Sequence, residues 1–151
     1  MPEVDFDLAI QASVDTVWKT VLDVASYPAY MENVLETRIL RDDGQGTRAS
    51  SWSILLKGAV LEWTEEESID HDRRRMDFRQ IDGDMEHLEG FWHVRPLEDG
   101  RVSARLFISF RIGIPLLADM LDPLARKAIH DNSQDMLLGI ERRTRQPAGA
   151  P

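Results

Sequence analysis

Few side chains in this sequence are equipped for chemistry, and two of them lie close together in "AVLEWTEEESID". A strand sends alternate residues to opposite faces. From Ala59, one face carries Ala59, Leu61, Trp63, Glu65, Glu67 and Ile69, and the other carries Val60, Glu62, Thr64, Glu66 and Ser68. The first set is the more apolar and is expected to face inward. It takes Glu65 and Glu67 with it, while Glu66 turns outward to sit diagonal to Arg75 and Arg79 as cross-strand charge pairing. A carboxyl turned toward Phe78 and Met76 loses solvation, which disfavours its charged form and suits it to general acid or base work near neutral pH. The plainer reading is that one or both glutamates end at the open end of the sheet, solvated or paired with arginine.

The third candidate is Asn132, on the apolar face of a long C-terminal helix with Leu121, Leu124, Ala125, Ala128, Met136 and Ile140. A buried amide left without partners costs about 1–3 kcal/mol. It therefore bonds either to a strand or water, or to a ligand carbonyl or enol.

The remaining strands supply the wall. "WSILLK" points Trp52, Ile54 and Leu56 inward, with Arg48 and Ser50 on the same parity. "LEGFWHV" points Leu88, Gly90, Trp92 and Val94 inward and His87, Phe91 and His93 outward. "VSARLFISFRI" contributes a wholly apolar set from Val102 to Ile112. Three tryptophans, Trp52, Trp63 and Trp92, thus face the long helix. They are read either as core packing or as a planar ligand slot facing small helix residues. Trp18, at helical spacing with Val14, Val21 and Leu22, is read as core, and Tyr30 as packing or as a closure of the pocket mouth.

Several function classes are excluded on composition. There is no cysteine, so disulfides and thiolate chemistry are absent. His71, His87, His93 and His130 show no metal-ligand spacing, and His71 and His130 are expected to be solvated. The net charge of −9 and the lack of a basic face argue against nucleic-acid binding. No apolar run reaches the roughly 18 residues of a membrane span, and no phosphate-binding glycine loop or nucleophile elbow occurs. A cytoplasmic protein is expected.

The elements that must position these residues follow from periodicity. "EVDFDLAIQA" alternates as a strand, and Ser13 or Asp15 caps a helix in "VDTVWKTVLD". "SYPAYMENV" is expected to form a second short helix with Pro28 in its first turn. About six strands fill Leu35 to Ile112, punctuated by "DDGQG", "KG", "DHD", "DGD" and "EDG". A helix then opens at Pro115 and is expected to bend and restart at Asp122 and Pro123, running about 30 Å to Arg143 at 1.5 Å per residue. Residues 1–145 are expected to form one domain, and 146–151 a disordered tail. The fold class expected is α+β: a curved antiparallel sheet of about seven strands wrapped on the long helix, with two short helices between the first two strands.

In this order of elements the chain resembles the START/Bet v 1-like superfamily, and within it the polyketide cyclase/dehydrase and lipid-transport group. "VWKTVLDVASYP" is similar to that group's N-terminal helix pair, "LEGFWHVRPLEDGRV" to its Gly-x-Trp strand and turn, and "NSQDMLLGIERR" to its closing helix. The resemblance implies a pocket under the helix for a hydrophobic small molecule or a poly-β-ketone bound to an acyl carrier protein. It also implies cyclase/aromatase activity, regiospecific aldol closure and dehydration, with no metal or redox cofactor. Family pockets carry tryptophans and an arginine on the strand similar to "AVLEWTEEES", and an asparagine on the closing helix. Trp63 matches one tryptophan and Leu61 stands where a second would be. Asn132 matches the asparagine, and Glu67 stands where the arginine would be. The leading expectation is a cyclase using Glu65, Glu67 and Asn132 for proton transfer and enolate stabilisation. Arg48 assists, and Trp52, Trp63, Trp92, Phe78, Tyr30, Leu61 and Met136 contact ligand. A non-catalytic carrier of a lipid, quinone or polyketide is the second reading, favoured by the apolar last strand and the missing arginine. An interaction module whose grip is only a core is the third.

Overall fold

The computed structural model describes residues 2–56, 58–112 and 115–145; for 112 and 115–125 it describes the course of the backbone only. The order is β1 (Glu3–Ile10), α1 (Val14–Leu22), a 3-10 turn α2 (Val24–Ala29), β2 (Val34–Asp42), β3 (Thr47–Leu56), β4 (Ala59–Asp70), β5 (Arg75–Gly83), β6 (Met85–Pro96), β7 (Val102–Ile112) and α3 (Pro115–Arg145). The strands form one antiparallel sheet in the order β1-β7-β6-β5-β4-β3-β2, so only the step from β1 to β7 joins strands distant in sequence. That closure brings the chain's first strand beside its last, and α3 then lies across the concave face with β1, α1, β7 and β3 as neighbours. This is the helix-grip arrangement the sequence leads one to expect.

Local chemistry explains the connections. The Ser13 hydroxyl accepts from the Thr16 N–H at 3.1 Å and so caps α1,. The second short helix starts two residues earlier than "SYPAYMENV" suggests and is a 3-10 turn, with Pro28 in its interior rather than in its first turn. The reason is a three-residue apolar period: Val24 and Tyr27 both bury fully, which a tight helix with three residues per turn places on one side. The Tyr27 hydroxyl anchors the turn by donating to the Val21 carbonyl. At the other end of the chain, α3 runs unbroken through Asp122 and Pro123. The proline forgoes one backbone bond without restarting the helix. The expected tail, 146–151, lies outside the described residues, as do the side chains of Leu121, Leu124 and Ala125.

Parity is as expected on every strand that carries a candidate residue. Trp52, Ile54, Leu61, Met76, Phe78, Leu88, Trp92, Val94, Leu106 and Phe110 are all buried. On the outer face one detail differs. Glu66 stands directly opposite Arg79 and bonds it at 3.2 Å, with Arg41 at 3.6 Å, whereas Arg75 pairs with Asp77 on its own strand and lies over the Phe91 ring. His71 also departs from expectation: although exposed, its Nδ1 accepts from the buried Trp18 indole at 3.2 Å, tying the β4–β5 turn to α1.

Among the described glycines, Gly90 is the most closely approached. A Cβ there would stand 1.9 Å from the Phe107 carbonyl oxygen and 2.8 Å from the Phe78 ring, so neither β7 nor the cavity wall tolerates one. Gly90→Ala is expected to lower stability by about 3 kcal/mol, the upper end of overpacking costs, as read by urea unfolding.

Candidate functional site

The two-residue connection between Leu56 and Ala59 fixes the register of β3 on β4, and that register assembles the site. Arg48 lies opposite Glu67, Ser50 opposite Glu65, and Trp52 opposite Trp63. All six face inward, forming three successive rungs beneath α3.

On the top rung, the Trp52 and Trp63 rings stack at 5.6 Å with 7° between their planes. Each indole donates to the inward residue two positions earlier or later on its own strand. Trp52 Nε1 reaches Ser50 Oγ at 2.8 Å, and Trp63 Nε1 reaches Glu65 Oε1 at 2.8 Å. On the bottom rung, Arg48 Nε donates to Glu67 Oε1 at 2.6 Å, and Ser50 Oγ donates diagonally to Glu67 Oε2 at 3.0 Å. Arg48 also donates to the carbonyl of Leu22, the last residue of α1, at 2.8 Å. The negative end of that helix is a favourable place for a cation. Its third contact is Met76 Sδ at 3.4 Å.

The middle rung carries the reactive group. Glu65 is 3% exposed, and burial pushes its carboxyl well above the usual carboxylate range. A hydrogen bond to Glu67 and the repulsion of that side chain push it further, against opposing pulls from the Trp63 N–H and the Arg48 charge. Burial and the neighbouring Glu67 thus favour the protonated form of Glu65, while Glu67 is held in an ion pair with Arg48.

Glu65 opens onto a cavity of about 50 Å3 between the sheet and α3. Trp52, Trp63, Trp92, Phe78, Asn132 and Met136 share its wall, with Ile54, Met85, Leu88, Leu106, Ile108 and Ile129 completing it. Asn132, 7% exposed, donates from Nδ2 to Met136 Sδ at 3.6 Å. Its Oδ1 is buried without a hydrogen-bond partner among the described residues. Asn132 also borders an outer groove of about 310 Å3 between the β3–β4 connection and α3, with Asn33, Leu56, Ala128, Asp131 and Asp135. Asn132 thus borders both the cavity and the outer groove.

The structure therefore gathers Glu65, Asn132, Trp52, Trp63, Trp92, Phe78 and Met136 around one cavity. The other candidates stand apart from its wall. Glu67 and Arg48 lie behind Glu65, engaged with each other. Leu61 is buried opposite Ile54. Tyr30 packs against Gly139, Tyr27 and the Arg143 guanidinium, with its hydroxyl buried and without a hydrogen-bond partner among the described residues. Burial drives its pKa up.

Two contributors escaped sequence reasoning. Tyr27 sets its ring 5.6 Å from Trp52 and 6.2 Å from Trp92, backing the aromatic wall; its period-three spacing from Val24 was the available signal. Ser50 was placed on the inward face, but its two bonds depend on the β3–β4 register.

Two predictions follow from the buried charges. Arg48→Met leaves a buried carboxylate unpaired and is expected to cost about 3–5 kcal/mol in urea unfolding. The double variant Arg48→Met/Glu67→Gln should recover more than half of that loss. The second concerns pH. Below about 4.5, the ordinary value of a glutamate, Glu65 is protonated in folded and unfolded chains alike. Above it the unfolded chain releases the proton and the folded chain keeps it, so Glu65 costs up to about 1.4 kcal/mol per pH unit until its folded-state titration is reached. The stability of Glu65→Gln minus that of the native protein, followed by thermal or urea unfolding, should therefore rise with pH above about 4.5.

Comparison with known proteins places the chain in a family. A family model described as polyketide cyclase/dehydrase and lipid transport matches residues 10–137. The structure superposes on a Thermus thermophilus protein with a TM-score of 0.89 at 26% identity, covering 95% of this chain and 97% of that one. It superposes on the Zhui aromatase/cyclase from Streptomyces sp. R1128 with a TM-score of 0.86 at 21% identity, covering 99% and 98%. A START superfamily protein from Mycobacterium smegmatis gives 0.81 at 16% identity, covering 97% and 99%. No curated protein sequence matches. No helix among the described residues is long and apolar enough to cross a membrane. The chain belongs to the polyketide cyclase/dehydrase and lipid-transport family.

Proposed function

We propose that the protein is a cyclase that binds a poly-β-ketone, or an aromatic intermediate derived from one, beneath α3 and promotes aldol closure and dehydration. The observation that carries this reading is a buried carboxyl, Glu65, whose pKa burial raises, on the wall of an otherwise apolar, aromatic cavity that also holds Asn132 Oδ1, unpartnered among the described residues. The similarity to an aromatase/cyclase at 21% identity supports the fold, and the family membership supports the general kind of activity.

A 1,3-diketone is already partly enol, so closure needs positioning and a proton donor more than a strong base. The enol carbon attacks the acceptor ketone carbon. The ketone oxygen takes the Glu65 proton as the new C–C bond forms, and the enol O–H proton returns to the Glu65 carboxylate as its own carbonyl is restored. Dehydration uses the same group: the hydroxyl departs as water with the Glu65 proton, and the carboxylate so formed removes the proton α to the carbonyl, which restores the neutral acid. Asn132 Oδ1 accepts from the hydroxyl that closure leaves on the acceptor carbon and orients it. Glu67, paired with Arg48, stands behind Glu65 and stabilises it in the protonated state.

Size sets a condition. A ligand site typically has about 300–1,000 Å3, against about 50 Å3 between the described walls. A polyketide therefore enters only if the wall yields, and the outer groove beside Asn132 is the natural approach. An acyl-carrier-bound substrate would extend through that groove.

The second reading, a carrier of hydrophobic molecules, draws on the same apolar wall and on the guanidinium missing at position 67. The Glu65→Gln variant separates the two. It preserves shape and hydrogen bonding but has no proton to give, so ring closure of a poly-β-ketone substrate should fall about 10²–10⁴-fold. Quenching of tryptophan fluorescence by a polycyclic aromatic ligand should be retained. Turnover equal in the two proteins would remove Glu65 from the chemistry, and ligand binding with no turnover by the native protein would favour the carrier.

A further inference from the structure

Ser50 has no place in the reaction described above, yet it is fully buried and both of its bonding partners belong to the site. It accepts the Trp52 indole N–H at 2.8 Å and donates to Glu67 Oε2 at 3.0 Å. Followed onward, Glu67 adjoins Glu65, the inward residue two positions earlier on β4, Glu65 accepts the Trp63 indole N–H, and Trp63 stacks back on Trp52. These contacts close a ring of five side chains across two strands, with Ser50 the single link between its aromatic and its carboxyl halves on the β3 side. We propose that Ser50 is a positioning residue, holding the Trp52–Trp63 stack and the Glu67–Glu65 pair in one fixed relation and so setting the direction from which Glu65 meets a bound ligand. The proposal rests on the reading of Glu65 as the acid.

The polarity of the ring makes Ser50 hard to replace. The indole can only donate and Glu67, already holding Arg48, can only accept, so the linking group must accept from one side and donate to the other. A hydroxyl does both at once. Alanine does neither: it leaves the Trp52 N–H buried without a partner and removes one of the donors to Glu67. The indole plane is then held by stacking alone, and Glu65 shifts with Glu67. Threonine restores the hydroxyl on a residue suited to a strand.

The test compares Ser50→Ala, Ser50→Thr and Trp52→Phe by steady-state kinetics and by the indole N–H resonances of the four tryptophans. Ser50→Ala should lower kcat about 10- to 100-fold, the range expected of a misplaced group, with KM within about twofold. It should move the N–H resonances of both Trp52 and Trp63, although only Trp52 touches Ser50. Ser50→Thr should return both readouts toward native values, and Trp52→Phe, which leaves the Ser50–Glu67 bond in place, should have the smaller kinetic effect. The proposal is overturned if Ser50→Ala keeps native kcat, or if it shifts the Trp52 resonance alone. A native protein without turnover would sink the enzyme reading. The coupled movement of the Trp63 resonance would still decide whether the ring exists.

Discussion

The site depends on keeping an ion pair out of water in the concavity of an apolar sheet. Burying a charge is costly, and a buried pair is tolerated only when geometry is good and the remaining bonding capacity is filled. Arg48 and Glu67 meet that condition through contacts drawn from four elements: the β3–β4 rung itself, the end of α1, Met76 on β5 and the Ser50 hydroxyl. Among the described residues Glu65, one rung above, has no ion-pair partner. Burial favours its neutral form, so a carboxyl disposed to hold its proton faces an apolar cavity. That disposition follows from where Arg48, the one buried cation among the described residues, places its charge.

The fold supplies the setting in a similarly forced way. A seven-stranded antiparallel sheet with one apolar face must cover that face, and α3 is the one element long enough to do so,. Flat rings stacked on β3 and β4, with Tyr27 behind them, take up part of the concavity. A narrow cavity remains where the asparagine of α3 meets the tryptophans. The same packing that stabilises the domain therefore leaves the space in which a ligand can be gripped, and limits that space until the wall moves.

Much of this was legible from the residues. Alternation alone turned Trp52, Trp63, Trp92, Glu65 and Glu67 inward, because a period of two leaves no freedom once one face is apolar. The spacing of Ala128, Asn132 and Met136 put the asparagine on the covered face of the helix. The pairing of partners was harder. An even-length turn around "DHDR" aligns β4 with β5, and the two-residue connection of Lys57 and Gly58 equally aligns β3 with β4. It implies the Arg48–Glu67 rung, which sets an arginine directly across from Glu67. Tyr27 was hidden because a 3-10 turn buries residues three apart, a pattern too short to separate from a loop. Cavity volume is beyond any parity argument, since facing inward and leaving space are different properties.

The central claim is that Glu65 is uncharged at neutral pH in the folded protein. Carbon-13 NMR of the glutamate side-chain carboxyls, followed from acidic to mildly alkaline pH with Glu65→Gln supplying the assignment, tests it directly. The account predicts that the Glu65 carboxyl keeps its protonated chemical shift through pH 7. A Glu65 resonance that titrates near 4.5, the ordinary glutamate value, would contradict it, leaving a charged carboxylate on the cavity wall and no acid for the chemistry.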